Sequence, residues 1–478
     1  MKAPKCLVIR QAGSSAPEPV AQFAELRGSQ PLVLDHDQTD LAVIRGENAD
    51  IIAIRWELWE RLDGDSKNEL ADRVKRGMVL YLGGGLKSGG SYSLKPWLDA
   101  PLVATALDNV RGYSFTSHRL VPKPLEGEHV DVEIPSALAA TVGPPSEPLV
   151  VTRPSDGGQR ALIFAIPSGA GFVICDWTAH TAPSHEESPI LSRLIDREQR
   201  LRNIGPLIAV DFASGRNFKD PGFYNLTLDD RPANYDFLRL AQLRRCLLHM
   251  REIADGFHLD CAWTPDQSRP LRSYVSTLKE FGAGFVWHGL LSHIDHTKIA
   301  DPGADLQRGR ERIRAISGRY GVEIQPIMIF PFERRNDAAI RCLIEGKFEA
   351  MVEYAEANAE GETHLPAHLR YSTPLRRSVA AGFPVLRRYP RRVMDFDRML
   401  GLAALGLPII ANAHPNHLGI ARLRSSVTKG SIEYFDDVLH FATSKRMRPA
   451  TLMQLAAEMK EWPQPFAEHN AAVCHGRT

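Results

Sequence analysis

The carboxyl-terminal half of the chain repeats one pattern, in which a short apolar run typical of a β-strand is followed by a helical pattern. The predicted strands are Leu207–Val210, Phe223–Leu228, Phe257–Ala262, Phe285–Trp287, Ile324–Phe330, Glu349–Val352, Val385–Leu386 and Pro408–Ala411. The helical patterns cover Tyr235–Ala254, Pro270–Phe281, Asp305–Tyr320 and Ala338–Glu345. Repeated βα units predict an α/β fold with a barrel or partial barrel, whose chemistry takes place at the carboxyl ends of the strands.

The first 200 residues predict a separate α/β domain. Strand-like and helical patterns alternate over residues 5–85 and end in the strand Met78–Leu82 and the turn Gly83–Gly85. This arrangement is typical of the carboxyl edge of a doubly wound sheet, so we expect a small Rossmann-like domain. No Gly-x-Gly-x-x-Gly spacing follows the turn, which disfavours a dinucleotide site. We expect domains at 1–200 and 205–465.

Two further features belong to the amino-terminal domain. The runs Ala161–Ile166 and Gly171–Asp176 predict a hairpin, and Pro144–Gln159 has the composition of a linker or long loop. The hairpin and the strand-Gly-Gly unit resemble parts of glutamine-amidotransferase-like domains. Since no cysteine occupies the nucleophile position of that family, the resemblance implies a non-catalytic or regulatory module.

Composition restricts the partners of the chain. With 58 Lys and Arg against 57 Asp and Glu, the net charge of +1 predicts no long-range field that would gather nucleic acid. No run approaches the ~20 apolar residues of a transmembrane segment. The six cysteines contain no C-x2-C pair, and the amino terminus lacks an apolar signal-peptide region, so we expect a cytoplasmic protein. The oligomeric state stays open.

Two adjacent acids, Asp229 and Asp230, follow the apolar strand that ends at Leu228. Carboxylates are tolerated at a buried strand end when a metal or a reacting proton compensates their lost hydration. After a later strand, three histidines offer nitrogen ligands: His288, His293 and His296. The pattern favours a metal hydrolase, although adjacent acids also cap helices and histidines also line loops.

These motifs, in this order, resemble those of the polysaccharide deacetylase superfamily, which are metal-dependent carbohydrate N-deacetylases on a distorted (β/α) barrel. The resemblance extends roughly over Leu207–Trp462. Thr227–Asp230 matches the first family motif, Thr-Phe-Asp-Asp, and implies that Asp229 is the general base and that Asp230 binds the metal. Arg231 follows where the family commonly has Gly.

The second family motif is a His-Ser/Thr-x-x-His box that supplies two metal-binding imidazoles. His288 and His293 flank the Gly and Ser of such a box, but they are separated by one residue more than usual. We favour this pair and keep His296 as the alternative ligand. The resemblance implies a divalent metal, with zinc expected and cobalt, nickel or manganese as alternatives.

A third family motif places an arginine and an aromatic residue after a proline at a strand end. Phe330–Arg335 occupies that position without being a clean copy. We expect Arg334 to hold Asp229 ionised or to grip the product carboxylate, and we expect Phe332 and Glu333 to contact the substrate.

A late histidine serves the family as general acid, and His414 occupies that position after the strand Pro408–Ala411. His417 lies three residues beyond and is a candidate substrate contact. Trp263 is a candidate aromatic for stacking on a sugar. The arginine-rich stretch Arg370–Arg392 is typical of a solvated loop, with binding of an anionic glycan or glycolipid as the alternative.

Taken together, the sequence predicts a metal-dependent hydrolase that removes N-acetyl groups from an amino-sugar glycan or glycan precursor. One alternative is another barrel metal hydrolase that acts on a non-sugar amide. The other is a carbohydrate-binding or assembly protein that keeps the fold without catalysis.

Overall fold

The computed structural model describes residues 1–10, 19–35, 44, 46–84, 86–153, 158–178, 188–229, 237–266, 272–354, 366–369, 375–377, 383–415, 434–463 and 465. These residues form two compact units. The first comprises Met1–Asp220, Leu365–Thr373 and Pro463–Thr478, and the second comprises Pro221–His364 and Pro374–Trp462. The chain first passes from one unit to the other after residue 220. The domain bounds 1–200 and 205–465 stay predictions.

The first unit is built on a mixed sheet of nine strands. They are β1 (Cys6–Arg10), β2 (Leu32–Asp35), β3 (Ile51–Ile54), β4 (Val79–Gly83), β8 (Tyr113–Phe115), β9 (His129–Val130), β11 (Glu147–Thr152), β12 (Arg160–Ser168) and β13 (Gly171–Asp176). Their order in the sheet is β2-β1-β3-β4-β13-β12-β11-β8-β9. Two small sheets pair β5 (Ser91–Tyr92) with β6 (Leu102–Val103), and β7 (Thr105–Val110) with β10 (Ile134–Ala139). The helices are Pro19–Leu26, Trp56–Arg61, Gly64–Lys75, Ile190–Ile195 and Arg197–Ala213.

Only part of the amino-terminal prediction matches this sheet. Strands β2, β1, β3, β4 and β13 are parallel, and the expected hairpin is present as β12 and β13. The linker expected at Pro144–Gln159 is wrong where β11 crosses it as an antiparallel strand of the sheet. Because this half of the sheet is antiparallel, a Rossmann-like or amidotransferase-like classification stays a prediction.

The strand predicted at Leu207–Val210 is wrong, because these residues lie in the last turns of the helix Arg197–Ala213. All four are buried. A helix segment that is buried on every side has the same continuous apolar sequence as a buried strand, so periodicity cannot separate them.

The second unit is a closed barrel of seven parallel strands. In chain order they are β14 (Phe223–Leu228), β15 (Leu259–Trp263), β16 (Gly284–His288), β17 (Gln325–Ile329), β18 (Ala350–Tyr354), β20 (Pro384–Pro390) and β21 (Ile409–Ala413). Strand β14 closes the barrel by pairing with both β21 and β15. Two short strands lie beside it, β19 (Leu375–Arg377) against β20 and β22 (Arg448–Pro449) against β14.

The helices of this unit are Phe237–Ile253, Arg272–Glu280, Pro302–Tyr320, Asp337–Glu345, Phe396–Leu405, Asp436–Ser444 and Leu452–Lys460. Among the described helices of the whole chain, none has the length and apolarity required to cross a membrane.

The helix Leu452–Lys460 contributes to the apolar core of the barrel. Its buried residues pack with strand residues such as Ala262, Val286 and Ile327 in one apolar cluster. The start of the helix is fixed by Asp260, whose Oδ2 accepts from the Leu452 amide at 2.8 Å.

Asp260 also ties this helix to two strands. Its Oδ2 accepts a second hydrogen bond from Asn225 Nδ2 at 2.8 Å, and Asn225 Nδ2 also donates to the Ala450 carbonyl at 2.7 Å. His258 Nε2 lies 3.1 Å from the other carboxylate oxygen. Asp260 is fully buried, so its loss leaves donors without an acceptor in a place that water does not reach.

We therefore predict that Asp260→Ala lowers the free energy of unfolding of the barrel by about 3 kcal/mol. Chemical denaturation followed by circular dichroism measures the change. Asp255→Ala is the control, since Asp255 is an exposed aspartate in the turn before β15. Equal stabilities of the two variants would contradict the role given to Asp260.

Candidate active site

Polar side chains gather at the carboxyl ends of the barrel strands. Alternation along each strand points every second residue into the barrel, and the inward positions change there from apolar to polar. The residues at this end are Asp229 after β14, His288 in β16, Glu333 after β17, Tyr354 in β18, Arg388 in β20 and His414 after β21.

Arg388 joins two carboxyl groups that follow different strands. Its Nη1 donates to Asp229 Oδ2 at 2.6 Å, and its Nη2 donates to Glu333 Oε1 at 2.6 Å. The side chains of Arg388, Asp229 and Glu333 are 2%, 4% and 8% exposed, so all three are largely removed from water. The single positive charge of Arg388 is therefore shared between two buried acids.

The guanidinium of Arg388 is held in place by a second set of contacts. It lies over the ring of Tyr354 at 4.5 Å, a cation–π arrangement. The Tyr354 hydroxyl donates to Asn412 Oδ1, and Asn412 Nδ2 donates to Thr227 Oγ1 at 3.2 Å. This network links β18, β21 and β14, so the position of Arg388 depends on three strands besides its own.

Three atoms of this cluster have no hydrogen-bond partner among the residues that the structure describes. They are Asp229 Oδ1, Glu333 Oε2 and Arg388 Nε. Buried polar atoms without partners are uncommon, and they concentrate at sites that bind water or ligands. The pKa of Glu333 is raised to about 7, chiefly by burial; the charges of Glu353 and Asp229 contribute to the rise, and Arg388 opposes it.

The structure brings the rings of His288 and His293 together. Their ring centroids are 4.8 Å apart. The Nδ1 of His288 hydrogen-bonds to the carbonyl of Ile329 at 3.1 Å, and since a carbonyl only accepts, Nδ1 carries the proton of this bond. Gly289 turns the chain between them with a φ of +82°, and a Cβ there would approach the Ser292 carbonyl oxygen to 2.8 Å.

His296 does not fit the role of metal ligand, because both of its ring nitrogens are used within its own loop. Nε2 accepts from the Leu290 amide at 3.0 Å, and Nδ1 donates to the Ile294 carbonyl at 2.8 Å. The ring is fully buried, and burial lowers the pKa of His296 to about 4. His296 is therefore a neutral residue that shapes the loop carrying His293.

Phe332 lies at the opening of the site. It is 65% exposed, and its ring contacts the edge of His293 with centroids 4.9 Å apart. Phe332 and Glu333 both have positive φ, at 58° and 55°, which is unfavourable for side chains other than glycine. This strained turn directs one residue outward to solvent and the next inward to Arg388.

The contact expected between Arg334 and Asp229 is made by Arg388 instead. Arg334 is 65% exposed, and its Nη1 donates to Asp295 Oδ2 at 3.1 Å. The stretch expected to be a solvated loop contains strand β20, which runs Pro384–Pro390 with Arg388 buried.

Trp263 cannot stack on a sugar in this fold, since the residue is 1% exposed. Its neighbour Ala262 belongs to the core of the barrel, so the indole points to the opposite face of the strand. There it packs against Phe285 and against Tyr320 of the helix Pro302–Tyr320, with ring centroids at 5.6 and 6.3 Å.

His414 directly follows β21, next to Asp229. Leu228 is in register with Ala413, and the Asp229 amide donates to the Ala413 carbonyl at 2.9 Å, so the two candidate proton-transfer residues follow adjacent strands at the same level. Asp230 and His417 lie outside the described residues. Their predicted roles stay predictions.

Sequence reasoning missed Arg388, Tyr354 and Asn412 as members of the site. A signal for Arg388 was present, because it lies two residues after Leu386 and shares its strand face. No signal marked Tyr354 or Asn412, whose roles depend on contacts between strands far apart in sequence.

The imidazoles of His288 and His293 are nitrogen donors of the kind that divalent metals such as zinc bind. A ligating histidine usually donates its second ring nitrogen to a carbonyl or carboxylate, as His288 does to Ile329. Within the described ranges no group of three or more His, Cys, Asp and Glu side chains is arranged around one point. Asp230, the third predicted ligand, lies outside the described residues.

Comparison with solved structures finds carbohydrate esterases. A family 4 carbohydrate esterase from Streptomyces lividans in complex with acetate aligns over 48% of this chain and 93% of its own, with 12% identity and a TM-score of 0.29. A chitin deacetylase from the fungal pathogen Colletotrichum lindemuthianum aligns over 52% and 92%, with 14% identity and a TM-score of 0.31. A CE4 family pseudoenzyme from Bacillus anthracis aligns over 50% and 66%, with 9% identity and a TM-score of 0.30.

Similarities with TM-scores this low do not support a fold assignment. The description of the second unit as a barrel therefore rests on its strand order alone. No protein-family model matches the sequence, and no curated protein matches it.

The histidine loop, residues 289–296, gives a prediction about pH. Above the pKa of about 4, His296 Nε2 is unprotonated and accepts from the Leu290 amide. The unfolded chain protonates this histidine near 6.5, so its contribution to stability is lost as the pH falls from about 6.5 toward 4. We expect hydrogen exchange of the peptide around Leu290, measured by mass spectrometry, to lose protection over this interval.

His249→Gln is the control for this measurement, because His249 lies on the helix Phe237–Ile253 and pairs with Asp436. It should leave the protection factors of the Leu290 peptide unaltered, whereas His296→Gln should remove the pH dependence of these protection factors. Protection factors that are independent of pH in the wild type would contradict the hydrogen bond.

Proposed function

We propose that this protein is a metal-dependent hydrolase that removes N-acetyl groups from an amino-sugar glycan or glycan precursor. The observation that carries the proposal is the buried Arg388–Asp229 pair at the carboxyl end of a parallel barrel that also holds the imidazoles of His288 and His293. This arrangement contains a positioned carboxylate and nitrogen ligands for a metal, as amide hydrolysis requires.

Asp229 is the proposed general base. Arg388 occupies Oδ2 and thereby fixes the orientation of the carboxylate. The other oxygen, Oδ1, has no partner among the described residues and is the atom that would receive the proton of the attacking water. Tyr354 and Glu333 act indirectly, since they hold the guanidinium that orients this base.

His414 is the proposed general acid. The nitrogen of an amide is a poor leaving group unless it is protonated as the C–N bond breaks. His414 follows the strand adjacent to that of Asp229, so a substrate placed between them would meet a base and an acid from neighbouring positions.

The metal would be held by Asp230, His288 and His293. When bound, a zinc-type ion lowers the pKa of a water ligand toward ~7 and polarises the acetyl carbonyl. Zinc is the metal that we propose, with cobalt, nickel and manganese as alternatives that suit the same ligands.

Phe332 is the proposed contact for the sugar ring of the substrate. Large aromatic rings exposed at the mouth of a site provide a flat apolar face for a sugar ring. Ile294, which is 45% exposed, adds apolar surface on the histidine loop. The amino-terminal unit has no proposed catalytic role.

We predict that His288→Ala, His293→Ala and Asp230→Ala each lose bound zinc, whereas His296→Gln keeps it. Elemental analysis of the purified proteins after equal zinc exposure measures this. Asp229→Asn should retain zinc and release no acetate from N-acetylated glycans. Equal zinc in the wild type and in the Asp230 variant would contradict the ligand assignment.

We also predict that Arg388→Met lowers kcat for acetate release by about 10²-fold or more, because the base loses its orientation and its compensating charge. Arg334→Ala is the matched comparison, since it removes an arginine whose partner is Asp295, and its loss should be at least about ten times smaller. A larger loss of kcat in the Arg334 variant than in the Arg388 variant would contradict this prediction. It would support the expectation from the sequence that Arg334 holds Asp229 ionised.

A further inference from the structure

The proposed reaction uses Glu333 only as a partner of Arg388 and leaves its own protonation unassigned, since the base, the acid and the metal ligands are other residues. Its side chain is nevertheless turned into the site through a backbone conformation that costs energy, with positive φ at both Phe332 and Glu333. One carboxyl oxygen accepts from Arg388 Nη2 at 2.6 Å, and the other has no partner among the described residues.

The charges around Glu333 do not balance if every acid is ionised. Arg388 is the cation that bonds both Asp229 and Glu333, and all three side chains are at most 8% exposed. Two carboxylates and one guanidinium leave a net negative charge in a place where uncompensated charge is costly. A proton shared by this cluster removes the imbalance.

Among the described residues, Arg388 is the cation that bonds the Glu333 carboxyl group. Strand β18 presents Glu353 and Tyr354, and the guanidinium of Arg335, on the turn of Glu333 itself, forms an ion pair with Glu353. Arg334 is turned to solvent toward Asp295. Arg335 Nη1 also donates to the Glu333 backbone carbonyl at 3.1 Å. The described groups around the Glu333 carboxyl group are therefore one bonded arginine, a second arginine that is paired with Glu353, and acids or phenols.

We propose that Glu333 is a positioning residue that holds Arg388 against Asp229 and that carries the proton of the cluster at neutral pH. The role in turnover rests on the proposed function, whereas the proton itself does not. Loss of that proton leaves two carboxylates competing for one guanidinium, which draws Arg388 away from the base. The raised pKa of Glu333, about 7, agrees with this arrangement.

Infrared difference spectroscopy of the full chain tests the proton directly. Between pH 5 and 9 the wild type should convert one buried carboxylic acid to carboxylate with a midpoint near 7, and Glu333→Gln should lack this signal. Glu311→Gln is the control, since Glu311 is an exposed glutamate on the helix Pro302–Tyr320, and it should keep the signal. Glu353→Gln should shift the midpoint to lower pH, because the charge of Glu353 raises the pKa of Glu333.

Absence of a carboxyl group that titrates between pH 6 and 8 in the wild type would overturn the proposal, and so would persistence of the signal in Glu333→Gln. This readout requires no substrate, so a protein without deacetylase activity that shows the titration would refute the proposed function alone.

Kinetics test the positioning role. In Glu333→Gln the amide oxygen can still accept from Arg388 Nη2, so kcat should exceed that of Glu333→Ala by about tenfold. The decline of kcat/KM above pH 7 should be weaker in Glu333→Gln than in the wild type. Equal kcat in the two variants, with unaltered pH profiles, would contradict the positioning role.

Discussion

The site is organised by one positive charge that joins two buried acids across the mouth of a barrel. Arg388 bonds Asp229 on one side and Glu333 on the other, and Tyr354 covers its face. Charge-assisted hydrogen bonds of this kind are strong when water is excluded, and breaking one leaves an uncompensated charge. The orientation of the proposed base therefore depends on residues from β18, β20 and the turn after β17.

The barrel provides the conditions for that interaction. Its inward positions are apolar at the level of Val286 and Ile327 and polar where the strands end. The apolar layer excludes water from below, which makes each ion pair above it stronger and each unpaired group more costly. The strained turn at Phe332 and Glu333 is stable only because the ion pair and the surrounding strands hold it.

Much of the carboxyl-terminal half could be predicted from its sequence. Repeated apolar runs and helical patterns indicate parallel βα units, and such units place Asp229, His288 and His414 at one edge. The pattern of strands and helices does not show contacts within loops. His296 therefore could not be distinguished from a metal ligand without its two backbone hydrogen bonds.

Buried charge was the other source of error. An arginine-rich stretch normally indicates a segment that is exposed to solvent. Arg388 is buried because its charge is paired with Asp229 and Glu333. Consecutive residues of a strand face opposite sides, so Trp263 faces outward because Ala262 faces the barrel core. The sequence alone does not show which of the two faces inward.

The central claim is that the Arg388–Asp229 pair stands beside a metal bound by the histidine pair. A crystal structure of the zinc-treated protein, with anomalous scattering at the zinc edge, tests it most directly. The account predicts one anomalous peak within bonding distance of His288 Nε2 and a nitrogen of His293, with Arg388 still bonded to Asp229. A map without a peak at the carboxyl end of the barrel, or with Arg388 separated from Asp229, would contradict it.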